Sequence, residues 1–364
     1  MASLFDYIDW RGDLLFSEAP LNEVDSLILS QISYIDFQDI VSPETDGALI
    51  TLREAAKQYL RRHRGETPYL GKIVPAEIVS LVAKASKCKR FSRLCLCGYV
   101  NRISDEDQSQ FSALTFQLGN GEHYVAYRGT DDSLVGWKEN FNMSFLSPVP
   151  AQLLAVEYLE RVASRLGGKL FVGGHSKGGN LAVYAAVKCA PAIKERLLTV
   201  FNNDGPGFDR EFIDGADYAS IRPKLRTIVP HSSVVGMLLE HEETYEVVKS
   251  NATGLLQHNA FSWEVLGGSF IHLDTVTNES RLIDSTLKGW LDEMTPEARE
   301  QFVNSLFETL SEANVKTLTE LSAERVKLLK AWGSLDAKTR SVILKCISLF
   351  VKESAKGFRK SSKI

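Results

Sequence analysis

Cysteine is scarce in this chain, five among 364 residues, and an odd number. Cys88, Cys95 and Cys97 lie near one another, but the CxC pair has no second ligand pair at zinc spacing. A disulfide framework and a structural zinc site are both excluded, and the expectation is packed, reduced thiols and no metal. Neither sign of charge is in surplus. Forty-two basic residues stand against 46 acidic ones, a net charge of -4, so the broad cationic face that nucleic acid requires is absent. No apolar run reaches the roughly 18 residues of a membrane span. The first 16 residues carry Asp6, Asp9 and Asp13 where an export signal would be basic and then apolar. The expected setting is the cytoplasm, with no integral membrane segment.

Hydrophobic residues make up 44% and charged residues 24%, the balance of a soluble globular protein. The length fits two domains or one elaborated domain with a core large enough to need no staple. Asn22 is placed to cap a helix whose face carries Val24, Leu27, Ile28, Ile32 and Ile35. Leu52 to Arg62 suggests a second helix and the stretch after Pro75 a third. The texture changes near residue 92. Ser112 to Leu118 alternates as a strand, Gly119-Asn120-Gly121 signals a hairpin, and His123 to Arg128 is the return strand. Pro150 to Leu166 reads as a helix, Lys169 to Gly173 as a strand and Asn180 to Lys188 as a helix. Further strands are expected at Leu197 to Asn203, Leu225 to Val229 and Thr244 to Lys249. Short apolar strands alternating with helices predict an α/β fold, a mostly parallel sheet with helices on both faces. From about residue 282 the pattern is helical to a basic tail of Lys352, Lys356, Arg359, Lys360 and Lys363. The expected organisation is an N-terminal helical segment (1–65) packing on a core (66–281), followed by a C-terminal helical region (282–364).

One motif carries chemistry. Gly174-His175-Ser176-Lys177-Gly178 is GxSxG, preceded directly by the apolar strand Leu170-Phe171-Val172 and followed directly by a helix. A nucleophile elbow needs that strand–turn–helix context. The turn is so tight that side chains at 174 and 178 would meet neighbouring backbone, and the serine itself sits strained. Ser176 is then the candidate nucleophile, at the favourable end of a helix dipole. The Lys177 backbone N–H is one candidate oxyanion donor, and the lysine puts a charge near the mouth. A serine hydroxyl needs a base. Of seven histidines, His258 lies past the last core strand in the chain order Ser…Asp…His, and His231 is the alternative. His175 is expected to point away and pack, and His63 to be solvated. The acid that orients the base must come from a strand end between 176 and 258. Asp204, closing the strand Leu197 to Asn203, leads; Asp209, Asp214 and Asp217 are weaker. Upstream, Arg128-Gly129-Thr130 ends the return strand, and Thr130 is the candidate for the second oxyanion donor, through its N–H and its hydroxyl.

Together these residues resemble the class 3, fungal-type lipases, whose pattern is an RGT or RGS loop, a Trp, GHSLGG and a late His. The matches here are Arg128-Gly129-Thr130, Trp137, Gly174 to Gly179 and His258, with Trp263 following. The chain is more similar still to a bacterial family with a lipase-like core, the Mbeg-like proteins. That likeness rests on Asp9-Trp10-Arg11-Gly12-Asp13, Asn22 to Asp25, Asp204-Gly205-Pro206-Gly207-Phe208 and Gln257-His258 through Trp263, and it spans most of the chain. It implies an α/β-hydrolase fold and, by analogy, a serine acyl hydrolase acting without cofactor on a small-molecule or lipid ester. Three departures stand out. Lys177 replaces the usual Leu, Ser233 stands where the lipases carry their acid, and Asn140 stands where they carry an Asp against Arg128. The alternative is a weak or inactive hydrolase scaffold that binds a ligand or a protein. The segment Phe141 to Pro150 is open to two readings, a short lid or packing on the sheet.

Overall fold

In this computed structural model, residues 2–63, 70, 74–241 and 243–312 are described, with 317, 320, 332, 340–341, 343–344 and 348 beyond them. The N-terminal part builds α1 (Leu4–Arg11), α2 (Glu23–Ile32), β1 (Ile50–Thr51), α3 (Leu52–Arg62), α4 (Glu77–Ala85) and the short α5 (Lys89–Ser92). An antiparallel meander follows: β2 (Cys95–Ser104), β3 (Ser109–Gln117) and β4 (Glu122–Tyr127). Next come α6 (Leu134–Asn142), α7 (Pro150–Arg165), β5 (Lys169–His175), α8 (Lys177–Lys188), α9 (Pro191–Lys194) and β6 (Leu197–Asn203). Then α10 (Arg210–Ile213), α11 (Ala216–Ile221), β7 (Leu225–Pro230) and β8 (Tyr245–Val248) complete the core strands. The short β9 (Val265–Leu266), β10 (Ser269–Phe270) and β11 (His272–Leu273) precede α12 (Asn278–Asp292) and α13 (Pro296–Glu312).

Nine strands form one sheet in the order β1-β2-β3-β4-β5-β6-β7-β8-β11. β4 through β8 pair in parallel, while β1 to β4 at one side and β11 at the other pair antiparallel, so the sheet is mixed. Strand alternation sends the apolar side chains to opposite faces. Leu114, Phe116, Tyr124, Ala126, Phe171 and Phe201 join the core under α1 to α4. Ala113, Val125, Tyr127, Leu170, Val172 and Val200 join the one under α7, α8 and α11.

Most expected elements appear within a residue or three. Two differ for a physical reason. β2 escapes a pattern search because Gly98, at φ +68°, sits in a register shift between Cys97 and Val100, which breaks the alternation. α8 begins at Lys177, three residues earlier than expected; the two glycines in its first turn have low helix propensity and hide the start from a sequence reading. The Asn22 cap is present, with its side chain accepting from the Val24 and Asp25 N–H groups. All ten residues of α2 are buried, pressed between the sheet and the other N-terminal helices. Most of its polar groups find partners, Gln31 Nε2 being an exception. Asp25 is paired with Arg90 at 2.5 Å, and the Ser26 and Ser30 hydroxyls meet the Tyr124 hydroxyl.

From Phe141 the segment packs against the C-terminal helices, while α6, in which it begins, also lies against β3. Phe141 stacks edge-on against Phe307 at 5.9 Å, and Trp137, Phe141 and Phe145 pack with Met294, Phe302 and Val303 of the C-terminal helices. Trp332 and Ile343 belong to the same cluster; most of the helical pattern expected beyond residue 312, and the basic tail, lie outside the described residues. Among the described residues no helix is long and apolar enough to cross a membrane.

Candidate active site

β5 delivers Ser176 at its carboxyl end, where the chain reverses into α8. Ser176 has φ +59°, a left-handed conformation that costs a residue with a side chain of order 1–3 kcal/mol. The flanking glycines are sterically required. A Cβ on Gly174 would collide with the Gly178 backbone and reach within 2.6 Å of the Tyr127 carbonyl oxygen; one on Gly178 would collide with that same carbonyl. The turn is pinned sideways by the Ser176 N–H, which donates to Asn203 of β6 at 2.9 Å.

One residue beyond, β6 ends in Asp204, fully buried and also left-handed at φ +53°. Its Oδ2 meets His258 Nδ1 at 2.7 Å. Its Oδ1 accepts from the Ser233 hydroxyl at 2.5 Å and from the Gly236 N–H at 3.2 Å. Ser233 therefore supports the carboxylate instead of carrying one, and the acid arrives from β6 rather than from the end of β7. With Nδ1 engaged by Asp204, Nε2 is the ring nitrogen left for proton exchange. His258 closes a short 3₁₀ turn, Gly254–His258, and its backbone carbonyl accepts from His175 Nε2 at 2.9 Å. His175 is buried, as expected, but it does not pack away from the site. Its ring stacks on His258 with centroids 4.6 Å apart. Burial holds His175 well below the ordinary histidine range, and the neighbouring His258 pushes it the same way. Among the described residues, no hydrogen bond joins the Ser176 hydroxyl to His258.

The other candidate histidines are engaged elsewhere. His231 lies between the Ser250 N–H and the Gln257 amide, His123 meets the Gly167 carbonyl, and His63 bonds back to Tyr59 at the end of α3. Asp209 caps α10 and Asp217 pairs with Lys194, both away from the histidine.

On the far side of Ser176 lies the Arg128-Gly129-Thr130 loop. Gly129 is pressed onto the elbow, since a Cβ there would stand 3.1 Å from Ser176 Cβ and 2.6 Å from the His175 carbonyl oxygen. The Thr130 hydroxyl is not free to serve an oxyanion; it donates to Asn140 Oδ1 of α6 at 3.0 Å. Arg128 bonds Asn101 and Asp131 at 3.0 Å each, so the partner that position 140 lacks is supplied from within the loop. The expected charge at the mouth is also absent. Lys177 is 1% exposed, and its Nζ donates to Glu139 at 2.8 Å and to the backbone and side-chain oxygens of Gln110 at 2.7 and 3.0 Å. Glu139 is equally buried and also accepts from the Gln110 and Ala151 N–H groups. What Lys177 offers to the outside is its backbone N–H, in the first turn of α8, where the helix supplies no acceptor.

Three residues of this arrangement carry no motif: Gln110, Glu139 and Tyr34, whose hydroxyl abuts Gly129. The signal for the first two was present in Lys177 itself. A lysine in the buried first turn of a helix demands a buried acid and further acceptors nearby.

Among the described residues, one group has the makings of a metal-ligand set. Glu23, Glu246 and His272 converge, but Arg226 already binds both carboxylates, at 2.5 and 2.7 Å, which answers their charge without an ion.

A family model, Mbeg1-like, matches residues 85–308, more than half of the sequence and all of the candidate site's motif residues. No curated protein matches the chain. Among solved structures, the crystal structure of M37 lipase is similar at 16% identity over 58% of this chain and 68% of that one, with a TM-score of 0.36, too distant to argue from. The chain belongs to the Mbeg1-like family.

Proposed function

We propose that this Mbeg1-like protein is a serine acyl hydrolase of the α/β-hydrolase type, acting on carboxylic esters. The observation that carries the reading is the buried Asp204–His258 pair, set at the same sheet edge as a serine held left-handed between two obligatory glycines. Ser176 is the nucleophile, His258 the base, and Asp204 the group that fixes the imidazole tautomer and stabilises its charged form. The N–H groups of Thr130 and Lys177 form the oxyanion hole.

The steps balance without a cofactor. Ser176 Oγ bonds to the ester carbonyl carbon as its proton passes to His258 Nε2, and the carbonyl π pair moves onto oxygen. Collapse breaks the bond to the alcohol oxygen, which leaves with the proton from His258. Water then repeats the sequence on the acyl-serine and releases the acid. The mixed sheet with helices on both faces, and strand-end turns bearing Ser176 and Asp204, are consistent with this fold type.

A binding-scaffold reading has one observation in its favour, the lack of a Ser176–His258 hydrogen bond among the described residues. Such bonds are often long in unliganded sites and tighten with substrate. Labelling with a fluorophosphonate separates the two readings. The hydrolase predicts labelling of the wild type and none of Ser176→Ala, with ester turnover reduced roughly 10⁵- to 10⁶-fold in the variant. Unlabelled, folded wild type would favour the scaffold.

A further inference from the structure

The site contains a buried hydroxyl that the steps above do not use. Tyr34 lies just beyond the end of α2, in the N-terminal segment that precedes the motif by some 140 residues of chain. Its side chain is carried to the elbow because α2 packs over β5, and the next residues, Ile35 and Phe37, are anchored in the core beneath. Tyr34 is 8% exposed, yet its Oη stops at the one position where Ser176 is also approached. The Cβ that Gly129 lacks would overlap Tyr34 Oη and sit 3.1 Å from Ser176 Cβ. The phenol and the nucleophile thus flank the same bare backbone of the oxyanion loop.

The hydroxyl is uncommitted as a donor. Tyr7, Tyr99, Tyr127 and Tyr218 donate to Asp25, Asp36, the Ala155 carbonyl and Glu243, and Tyr124 and Tyr158 meet hydroxyl partners. Among the described residues, Tyr34 Oη has no such acceptor. Its Oη is not sealed off from solvent, so water can accept from it at rest and an adduct oxygen can replace that water. Burial pushes the phenol's pKa up, against the pull of Arg128 and of the Gly129 N–H, so the proton stays in place. The hydroxyl proton is then available to an acceptor that enters the site.

We propose that Tyr34 is a catalytic residue, donating its hydroxyl hydrogen bond to an oxygen of the tetrahedral adduct formed at Ser176. The proton is not transferred; the phenol adds a third donor to the two backbone N–H groups. This rests on the serine-hydrolase reading. It also assigns a chemical task to the N-terminal segment, which would otherwise be cover for one face of the sheet.

The test is Tyr34→Phe, which keeps the ring in its packing and removes only the oxygen. It is assayed with a 4-nitrophenyl ester and with a trifluoromethyl ketone, whose hemiketal at serine mimics the adduct. The expected result is a 10- to 100-fold fall in kcat with KM changed less than threefold, and ketone affinity weakened by the same factor as kcat/KM. Thermal unfolding should stay near that of the wild type, and Tyr34→Ala serves as the comparison in which packing is lost as well. A folded Tyr34→Phe protein with kcat within twofold of wild type, or with its whole loss in KM, overturns the proposal while leaving the hydrolase reading intact. Wild type that neither turns over ester nor labels at Ser176 overturns both.

Discussion

Two buried carboxylates flank Ser176, one on each side, and their partners make them different devices. Asp204 faces an imidazole, a serine hydroxyl and one backbone N–H. Glu139 faces an ammonium and two backbone N–H groups. Asp204 has no lysine or arginine among these partners, so in the proposed mechanism an imidazolium at His258 would be the cation it stabilises. Glu139 is answered permanently by Lys177. The first arrangement stores an electrostatic preference for a transient cation; the second closes its account at folding and holds three elements together. β3 supplies Gln110, α6 supplies Glu139, and α8 supplies Lys177. α6 also carries Asn140, which grips Thr130. Under the proposed mechanism the same residue chemistry would serve proton transfer on one side and geometry on the other.

Neutralising each carboxylate without changing its shape should separate the two roles. Asp204→Asn leaves a partner for His258 Nδ1 but favours the wrong tautomer and removes the charge. Turnover is expected to fall about 10⁴-fold with the melting temperature little changed, by ester hydrolysis and calorimetry side by side. Glu139→Gln strands a buried ammonium, so the loss appears as stability, about 3–5 kcal/mol in denaturant titration. Replacing the pair with apolar groups, Lys177→Met with Glu139→Leu, should recover most of that stability. Activity should stay lowered if the ion pair also sets the oxyanion loop. Equal damage to turnover and stability from both single variants would erase the distinction.

His175 provides the smallest and most graded check. Its folded pKa is depressed by burial, so below about pH 6.5 the unfolded chain binds a proton there that the folded chain refuses. Stability contributed by the neutral ring is whole above that pH and declines as the pH falls through it. Denaturant midpoints measured between pH 8 and 5 should drop less in His175→Gln than in the wild type. Parallel slopes would show that the ring under His258 is not held neutral.

Ser176, Asp204 and His258 were legible as candidates because each follows from a local rule. A glycine-bounded turn must join strand to helix, and a functional acid sits at a strand's carboxyl end. The parallel strands were legible from their unbroken apolar runs. The N-terminal contribution was not. β1 is only two residues long, and β2 is disguised by its glycine irregularity. Tyr34 looks like any aromatic at the end of an apolar helix until the Gly129 backbone lies against it. Glu139 belongs to no motif. Its burial comes from contacts with β3 and α8, far apart in the chain. The placement of Lys177 at the mouth failed for that reason. Its backbone position was readable, but the direction of a long side chain depends on where acceptors are built.

The packing of α6 under α13 has a consequence for the order in which the protein is made. By the time β8 leaves the ribosome, the nucleophile turn and its acid have their sheet neighbours, but Trp137 and Phe141 still face water. Phe302 and Phe307 follow on the order of ten seconds later at ordinary synthesis rates. Until then the helix that steadies Thr130 is held by its inner face alone, through the Glu139 ion pair. The nascent chain therefore passes through a stage with Ser176, Asp204 and His258 in place and the Arg128–Thr130 loop loosely held. A truncated message that stops after β11 would produce that species as its end product, with an apolar helix face open to chaperones.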